Sequence, residues 1–138
     1  MAWVVDSCVV LDVALKDPDH GVASALFLED KRKSGLTVCP VTVVEVAPFF
    51  DGDIRNVREF LRVMGSEPMV PWTEVDTEAA VEGWTRYVRL KRAGGTGRRP
   101  IADIMIGAFA GRHDGLITRN PEHFRQFFPH LTLVQPPT

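Results

Sequence analysis

The chain has 138 residues, 45% of them apolar and 25% charged, which suits one globular domain and excludes a disordered or collagen-like chain. Its net charge is only −2, but residues 1–82 hold 15 acidic and 7 basic side chains, whereas residues 83–138 hold 3 and 9. This sorting of charge along the chain indicates a polyanionic partner for the basic half.

Strands and helices alternate along the predicted chain. Residues 3–6 form a short apolar run ending in a carboxylate, which is typical of a buried strand that leads into a turn. Asp53 and Gly65 are of the types that begin and end a helix, and the apolar residues between them have helical spacing. The complete set of predicted elements is a strand 3–6, a helix 7–15, a helix 22–34 with Val22, Ala25 and Leu26 on one face, a strand 36–39, a helix 41–47, a helix between Asp53 and Gly65, a short strand 69–70, a helix from Asp76, a helix from Pro100, and strands 115–118 and 131–134.

Residues 41–47 are the ambiguous segment. Their β-branched side chains favour a strand, whereas Thr42 and Glu45 have the spacing of a capping box, which favours the start of a helix. A helix here continues the alternation of strand and helix, and we prefer it. The alternation predicts an α/β sandwich with a mostly parallel sheet, in a single domain that spans residues 1–138.

The sequence predicts a protein that is neither exported nor zinc-bound. Its first 15 residues are apolar but contain Asp6 and Asp12 and lack a basic segment, unlike a secretory signal. No apolar run reaches the length of a membrane span. Cys8 and Cys39 lie far apart, and neither they nor the four histidines show metal-type spacing. We expect a soluble cytoplasmic protein with two reduced thiols, with one disulfide as the open alternative.

Polar side chains follow the predicted strands at one edge of the sheet. Ligands of open α/β sheets bind beyond the carboxyl ends of the strands. Asp6 ends the first strand, while Glu45 and Asp103 each lie one turn into a predicted helix, and residues 118–120 follow a later strand. We therefore expect three carboxylates from distant parts of the chain to converge.

Each carboxylate has a simpler interpretation when taken alone. Asp6 and Glu45 have the positions of helix caps, and Asp103 can complement a helix dipole. Together, however, several adjacent carboxylates repel one another unless a cation is present. Oxygen ligands without Cys or His favour Mg²⁺ or Mn²⁺, and such a cation beside a basic loop indicates phosphodiester chemistry.

A basic, glycine-containing stretch precedes Asp103. Residues 86–99 hold six basic and no acidic side chains, including Arg92, Arg98 and Arg99. A solvated helix face is the ordinary interpretation of such a run, but its position favours contact with an RNA backbone. Arg119 is a second candidate for phosphate contact, with a structural pair to a carboxylate as the alternative.

Four segments in order resemble the PIN domain, and most closely the VapC toxins of toxin–antitoxin pairs. They are Val5-Asp6-Ser7, the helix start from Thr42 to Glu45, residues 100–108 (PIADIMIGA) and residues 116–124 (LITRNPEHF). The resemblance covers essentially the whole chain. It implies a PIN-like three-layer α/β/α sandwich and a ribonuclease that depends on Mg²⁺ or Mn²⁺.

The resemblance also implies roles for individual residues. The implied metal ligands are Asp6, Glu45 and Asp103, the supporting hydroxyls are Ser7 and Thr118, and Asn120 is the remaining member of the catalytic set. Asn120 stands where the family often has a fourth acid, which puts a second tightly held metal in doubt. Glu122 is a candidate replacement for that charge. The family further implies an antitoxin partner and a homodimer, for which Phe49 and Phe50 offer an apolar surface.

Other functions remain as alternatives. Because Asn120 lacks a charge, the chain can instead be a weakened PIN fold that binds RNA or a protein without cutting. A haloacid dehalogenase-type phosphatase needs an acid two residues after Asp6, where Cys8 stands. A response-regulator receiver needs a lysine late in the chain, and none follows Lys91. Both are disfavoured.

Overall fold

A central parallel sheet organises the chain in a computed structural model that describes residues 2–66, 70–92 and 100–138, with the backbone alone for Arg92. The strands are β1 (Trp3–Val5), β2 (Leu36–Thr37), β3 (Gly115–Ile117) and β4 (Leu133–Val134), and the α-helices are α1 (Ser7–Ala14), α2 (Gly21–Lys31), α3 (Pro40–Val46), α4 (Ile54–Met64), α5 (Glu74–Arg92), α6 (Ile101–Ala110) and α7 (Pro121–Arg125). Short 3₁₀ helices, Arg32–Ser34 and Ala47–Phe50, follow α2 and α3.

The strand order is β2-β1-β3-β4, and every pairing is parallel. In this register Val4 lies between Thr37 of β2 and Leu116 of β3. The chain places β2 on one side of β1 and later returns to place β3 on the other. The carboxyl ends of β1 and β3 therefore flank the point where strand order reverses, which is where α/β sheets bind ligands.

Apolar side chains of the central strands alternate between two cores. Val5 and Ile117 belong to the core formed with α1, α3 and α4, whereas Val4 and Leu116 belong to the core formed with α6 and Phe124. Alternation is expected when both faces of a sheet are covered by helices. The predicted three-layer α/β/α sandwich is thus confirmed, and the sheet is wholly parallel in the described residues.

Several local predictions need correction. Residues 40–46 are helical as preferred, but the helix begins at Pro40 with Cys39 at the cap position, so the predicted capping box of Thr42 and Glu45 is wrong. Val70 lies outside any strand, and Met69 lies outside the described residues. The caps at Asp53 and Gly65 are confirmed: Asp53 accepts a bond from the Arg55 amide, and Gly65 is left-handed.

The predicted apolar face of α2 points to solvent. Val22 and Leu26 are 76% and 68% exposed. The buried side of this helix is instead formed by Gly21, Ser24 and Leu28. Periodicity identified the stripe correctly, but it did not determine whether the domain's own core covers it.

Both cysteines, which lie in the described part of the chain, are free thiols. Burial raises the pKa of Cys39 to about 12, and burial together with the nearby Asp6 carboxylate raises that of Cys8 to about 12. This agrees with the expected pair of reduced thiols. None of the helices within the described ranges is long and apolar enough to cross a membrane.

Candidate active site

Asp6 is the first residue after β1 and is buried. Its Oδ2 atom accepts a 2.7 Å hydrogen bond from the Thr118 hydroxyl and a 3.2 Å bond from the Cys8 thiol. Among the described residues the side chain makes no capping bond to α1. The interpretation of Asp6 as a simple helix cap therefore fails.

The surroundings of Asp6 disfavour its charge. Burial raises the pKa of this carboxyl, and the nearby charge of Asp103 raises it further, while the hydrogen bonds from Thr118 and Cys8 act in the opposite direction. Those two donors are neutral, so they solvate the carboxylate without balancing its charge. A cation at this point would satisfy the remaining electrostatic demand.

Glu45 joins the site through Ser7. The Ser7 hydroxyl donates to Oε1 of Glu45 at 2.6 Å and is also hydrogen-bonded to Oγ1 of Thr42 at 3.0 Å. Because Ser7 opens α1 and Glu45 lies on α3, these bonds fix the two helices at the carboxyl edge of the sheet. The Glu45 carboxylate is directed at a group next to Asp6 rather than at its own helix terminus.

Asp103 lies in the first turn of α6. Its Oδ2 atom is 2.8 Å from Nε2 of His123, which belongs to α7. Its charge also acts on Asp6. Asp103 therefore combines two roles, a contact to α7 and electrostatic proximity to the buried end of β1.

The segment after β3 completes the rim of the site. Thr118 donates to Asp6, and its Oγ1 accepts a 3.1 Å bond from the backbone N–H of Asn120. Asn120 itself is exposed. The Arg119 guanidinium makes a two-point ion pair with Asp12. Glu122, considered as a replacement acid, is paired with Arg125.

The donor chemistry of this edge fits a hard divalent cation. Asp6 and Asp103 are electrostatically coupled oxygen donors, and Glu45 is tied to the residue after Asp6. Within the ranges that the structure describes, no three His, Cys, Asp or Glu side chains come close enough to form a complete ligand group. Mg²⁺ commonly uses only one or two protein carboxylates and keeps several waters. Asp6 and Asp103 satisfy that requirement.

The predicted RNA contacts are only partly visible. Arg98 and Arg99 lie outside the described residues, as does the side chain of Arg92. At the end of α5, Arg89 and Lys91 are exposed and have no ion pair with any described residue. Free positive charge therefore leads from α5 toward the basic stretch.

Three contacts were missed by the sequence reasoning. His123 was assigned only to packing, yet it contacts Asp103; Thr42 was assigned to a cap, yet it bonds to Ser7; Asp12 was given no role, yet it holds Arg119. The proximity of His123 to the 116–120 motif was the one available signal. The other two pairings join residues 35 and 107 positions apart and leave no local pattern.

Comparison with known proteins agrees with this geometry. No curated protein matches the chain. The family model described as the PIN domain matches residues 3–127, which include Asp6, Glu45, Asp103 and the 118–120 segment. With that match over most of its length, the chain belongs to the PIN domain family.

Proposed function

We propose that this PIN domain is a metal-dependent endoribonuclease that acts as the toxin of a type II toxin–antitoxin pair. PIN domains are generally metal-dependent nucleases, which supports hydrolysis of phosphodiester bonds. The observation that carries the proposal is the meeting of Asp6 and Asp103 at the reversal point of strand order, where the buried Asp6 has only neutral hydrogen-bond donors.

The residues at this edge suit such a reaction. A divalent cation, when bound, lowers the pKa of a water and offsets the charge that develops on phosphate. Asp6 and Asp103 would hold the cation, and Ser7 would orient Glu45 toward it. Arg98 and Arg99 are proposed to bind the RNA backbone, with Arg89 and Lys91 extending the positive surface along α5.

The proposal is tested by RNA cleavage with Mg²⁺ or Mn²⁺, with and without EDTA. We expect Asp6→Asn and the chelator each to abolish cleavage. Asp114→Asn is a matched control, because it removes one exposed carboxylate just before β3, at the opposite edge of the sheet. Cleavage that survives both the chelator and Asp6→Asn would exclude this mechanism.

The toxin role rests on exposed apolar side chains as well as on the resemblance. Val22 and Leu26 on α2, together with the half-exposed Phe49, form more apolar surface than a free monomer requires. Such surface supports an antitoxin partner and a homodimer. We place this activity in the cytoplasm, where RNA is accessible to a toxin.

Expression of the chain in a bacterial host tests the toxin role separately. Growth arrest by the wild type but not by Asp6→Asn would support it, as would a neighbouring gene for a short DNA-binding protein whose product restores growth. Cleavage of RNA in vitro without growth arrest would leave the nuclease proposal intact and remove the toxin proposal.

A second candidate function is a PIN fold that binds RNA or a protein without cutting. Two observations favour it: Asn120 stands in place of a fourth acid, and the described residues hold no three-member ligand cluster. Calorimetry with Mn²⁺ separates the two functions. No binding at millimolar Mn²⁺, combined with retained RNA affinity, would favour the binding module.

A further inference from the structure

Asp12 and Arg119 form a two-point ion pair beside the candidate site. Nε of Arg119 lies 2.7 Å from Oδ2 of Asp12, and Nη2 lies 3.0 Å from Oδ1. The Asp12 side chain is only 5% exposed and that of Arg119 is 28% exposed. The nearby carboxylate raises the pKa of Arg119. The positive charge of Arg119 is therefore balanced inside the protein.

The Asp12 carboxylate joins three segments of the fold. It lies on α1, accepts the pair from Arg119 after β3, and accepts a 3.2 Å hydrogen bond from the Ser24 hydroxyl of α2. Three bonds on one buried carboxylate give it a fixed orientation. A fork-shaped pair of this kind fixes geometry as well as charge.

The pair is connected to the site through the backbone. Arg119 stands between Thr118, whose hydroxyl bonds to Asp6, and Asn120, whose N–H bonds to Thr118. Asp12 lies on the helix that begins immediately after Asp6. The Arg119 carbonyl also accepts a bond from the Gln135 side chain. The segment 118–120 is thus fastened to α1 at two points, by Thr118 on Asp6 and by Arg119 on Asp12.

We propose that Asp12 and Arg119 are positioning residues that hold the 118–120 segment against α1, and that Arg119 does not bind the RNA backbone. The inference rests on the proposed ribonuclease function for its kinetic consequence. A catalytic group displaced by about 1 Å can cost about 100-fold in rate. We therefore expect loss of the pair to lower kcat at least tenfold and to leave KM nearly unchanged.

Two substitutions distinguish positioning from phosphate contact. Arg119→Lys keeps the charge, so a phosphate-contact residue would tolerate it, whereas the two-point geometry would be lost and kcat would fall. Asp12→Asn frees the Arg119 charge, so a phosphate contact would tighten RNA binding, whereas positioning predicts lower kcat at unchanged affinity.

The salt dependence of RNA binding gives an independent readout. For single-stranded RNA, each phosphate contact contributes about 0.7 to the slope of log K against log salt concentration. We expect the slope of Arg119→Lys and of Arg119→Gln to equal that of the wild type. A slope reduced by about 0.7 in Arg119→Gln, with kcat intact in Arg119→Lys, would overturn the proposal.

A second ion pair provides a matched control for loss of stability. Arg112 bonds to Asp76 at 2.8 and 3.0 Å, with the same 28% exposure of the arginine side chain, but joins α5 to the end of α6. We expect Asp76→Asn to lower the melting temperature as Asp12→Asn does, without the fall in kcat. An equal fall in kcat in both variants would overturn the positioning role.

Amide hydrogen exchange tests the pair without RNA. We expect the Asn120 amide to exchange at least tenfold faster in Asp12→Asn, while the Asp6 amide, bonded to the Ile117 carbonyl, keeps its protection. An unchanged Asn120 amide would refute the positioning role. If the wild type neither binds nor cuts RNA, the proposed function fails, and the exchange measurement still decides whether the pair holds this segment.

Discussion

The hydroxyl of Thr118 donates a 2.7 Å hydrogen bond to Oδ2 of Asp6, across 112 positions of sequence. Both residues are buried, and each directly follows a strand, Asp6 after β1 and Thr118 after β3. The bond therefore closes the crevice between two neighbouring parallel strands. It also orients the one buried carboxylate that the nuclease proposal requires.

Thr118→Val removes this bond without changing the shape of the side chain. The buried Oδ2 of Asp6 keeps only the weak thiol donor, and the Asn120 N–H loses its acceptor. We expect the free energy of unfolding in EDTA to fall by about 1–3 kcal/mol, measured by urea denaturation. Thr85→Val, which removes a bond within α5, should stay within about 0.5 kcal/mol of the wild type. Equal losses in both variants would contradict the role of Thr118.

Asp6→Asn should separate stability from metal binding. Without metal the variant should be at least as stable as the wild type, because the amide removes a buried charge beside Asp103 and still accepts from Thr118. When free Mn²⁺ is 100-fold above its dissociation constant, the wild type should gain about 2.7 kcal/mol and Asp6→Asn nothing. Thermal denaturation with Mn²⁺ or EDTA measures both. A gain in Asp6→Asn equal to that of Asp114→Asn would place the metal elsewhere.

Local chemistry made much of the fold predictable. The apolar run before Asp6 and the caps at Asp53 and Gly65 depend on neighbours within a few residues, and the structure confirms them. The alternation of strands and helices then sufficed for a parallel α/β sheet, and so for a shared edge at which Asp6 and Asp103 interact.

Long-range contacts decided what the sequence did not show. The Thr42–Glu45 spacing imitates a capping box, but Pro40 starts the helix earlier and the Ser7 hydroxyl takes up both side chains. The stripe containing Val22 has helical periodicity, which is the same whether the core or a partner covers it. Periodicity and spacing report on one element, whereas these outcomes depend on a second.

His113 should make stability depend on pH. Burial lowers the pKa of this histidine, and the charge of Arg112 lowers it further, against the opposing charges of Asp76 and Asp114. Because the folded state then binds the proton more weakly than the unfolded state, stability is lost as pH falls below about 6.5 and through the folded pKa.

His113→Gln should therefore flatten the dependence of the free energy of unfolding on pH between 7 and 5, measured by urea denaturation. Within the described part of the chain Nε2 of His113 is buried without a hydrogen-bond partner, so the neutral amide does not break an existing bond there. His130→Gln is the exposed control and should leave the slope unchanged. A slope for His113→Gln equal to that of the wild type would refute this assignment.

Phe128 should prevent alanine at two glycines between α5 and α6. A Cβ atom on Gly107 would lie 2.4 Å from the Phe128 ring, and one on Gly83 would lie 2.5 Å from it. Helix propensity alone predicts that alanine stabilises both positions by about 1 kcal/mol; the clash instead predicts a loss of about 1–3 kcal/mol, measured by urea denaturation. Adding Phe128→Leu should recover part of the loss, because the overlap is with the ring. A double-mutant cycle without coupling between positions 107 and 128 would show that the ring does not set the spacing of these helices.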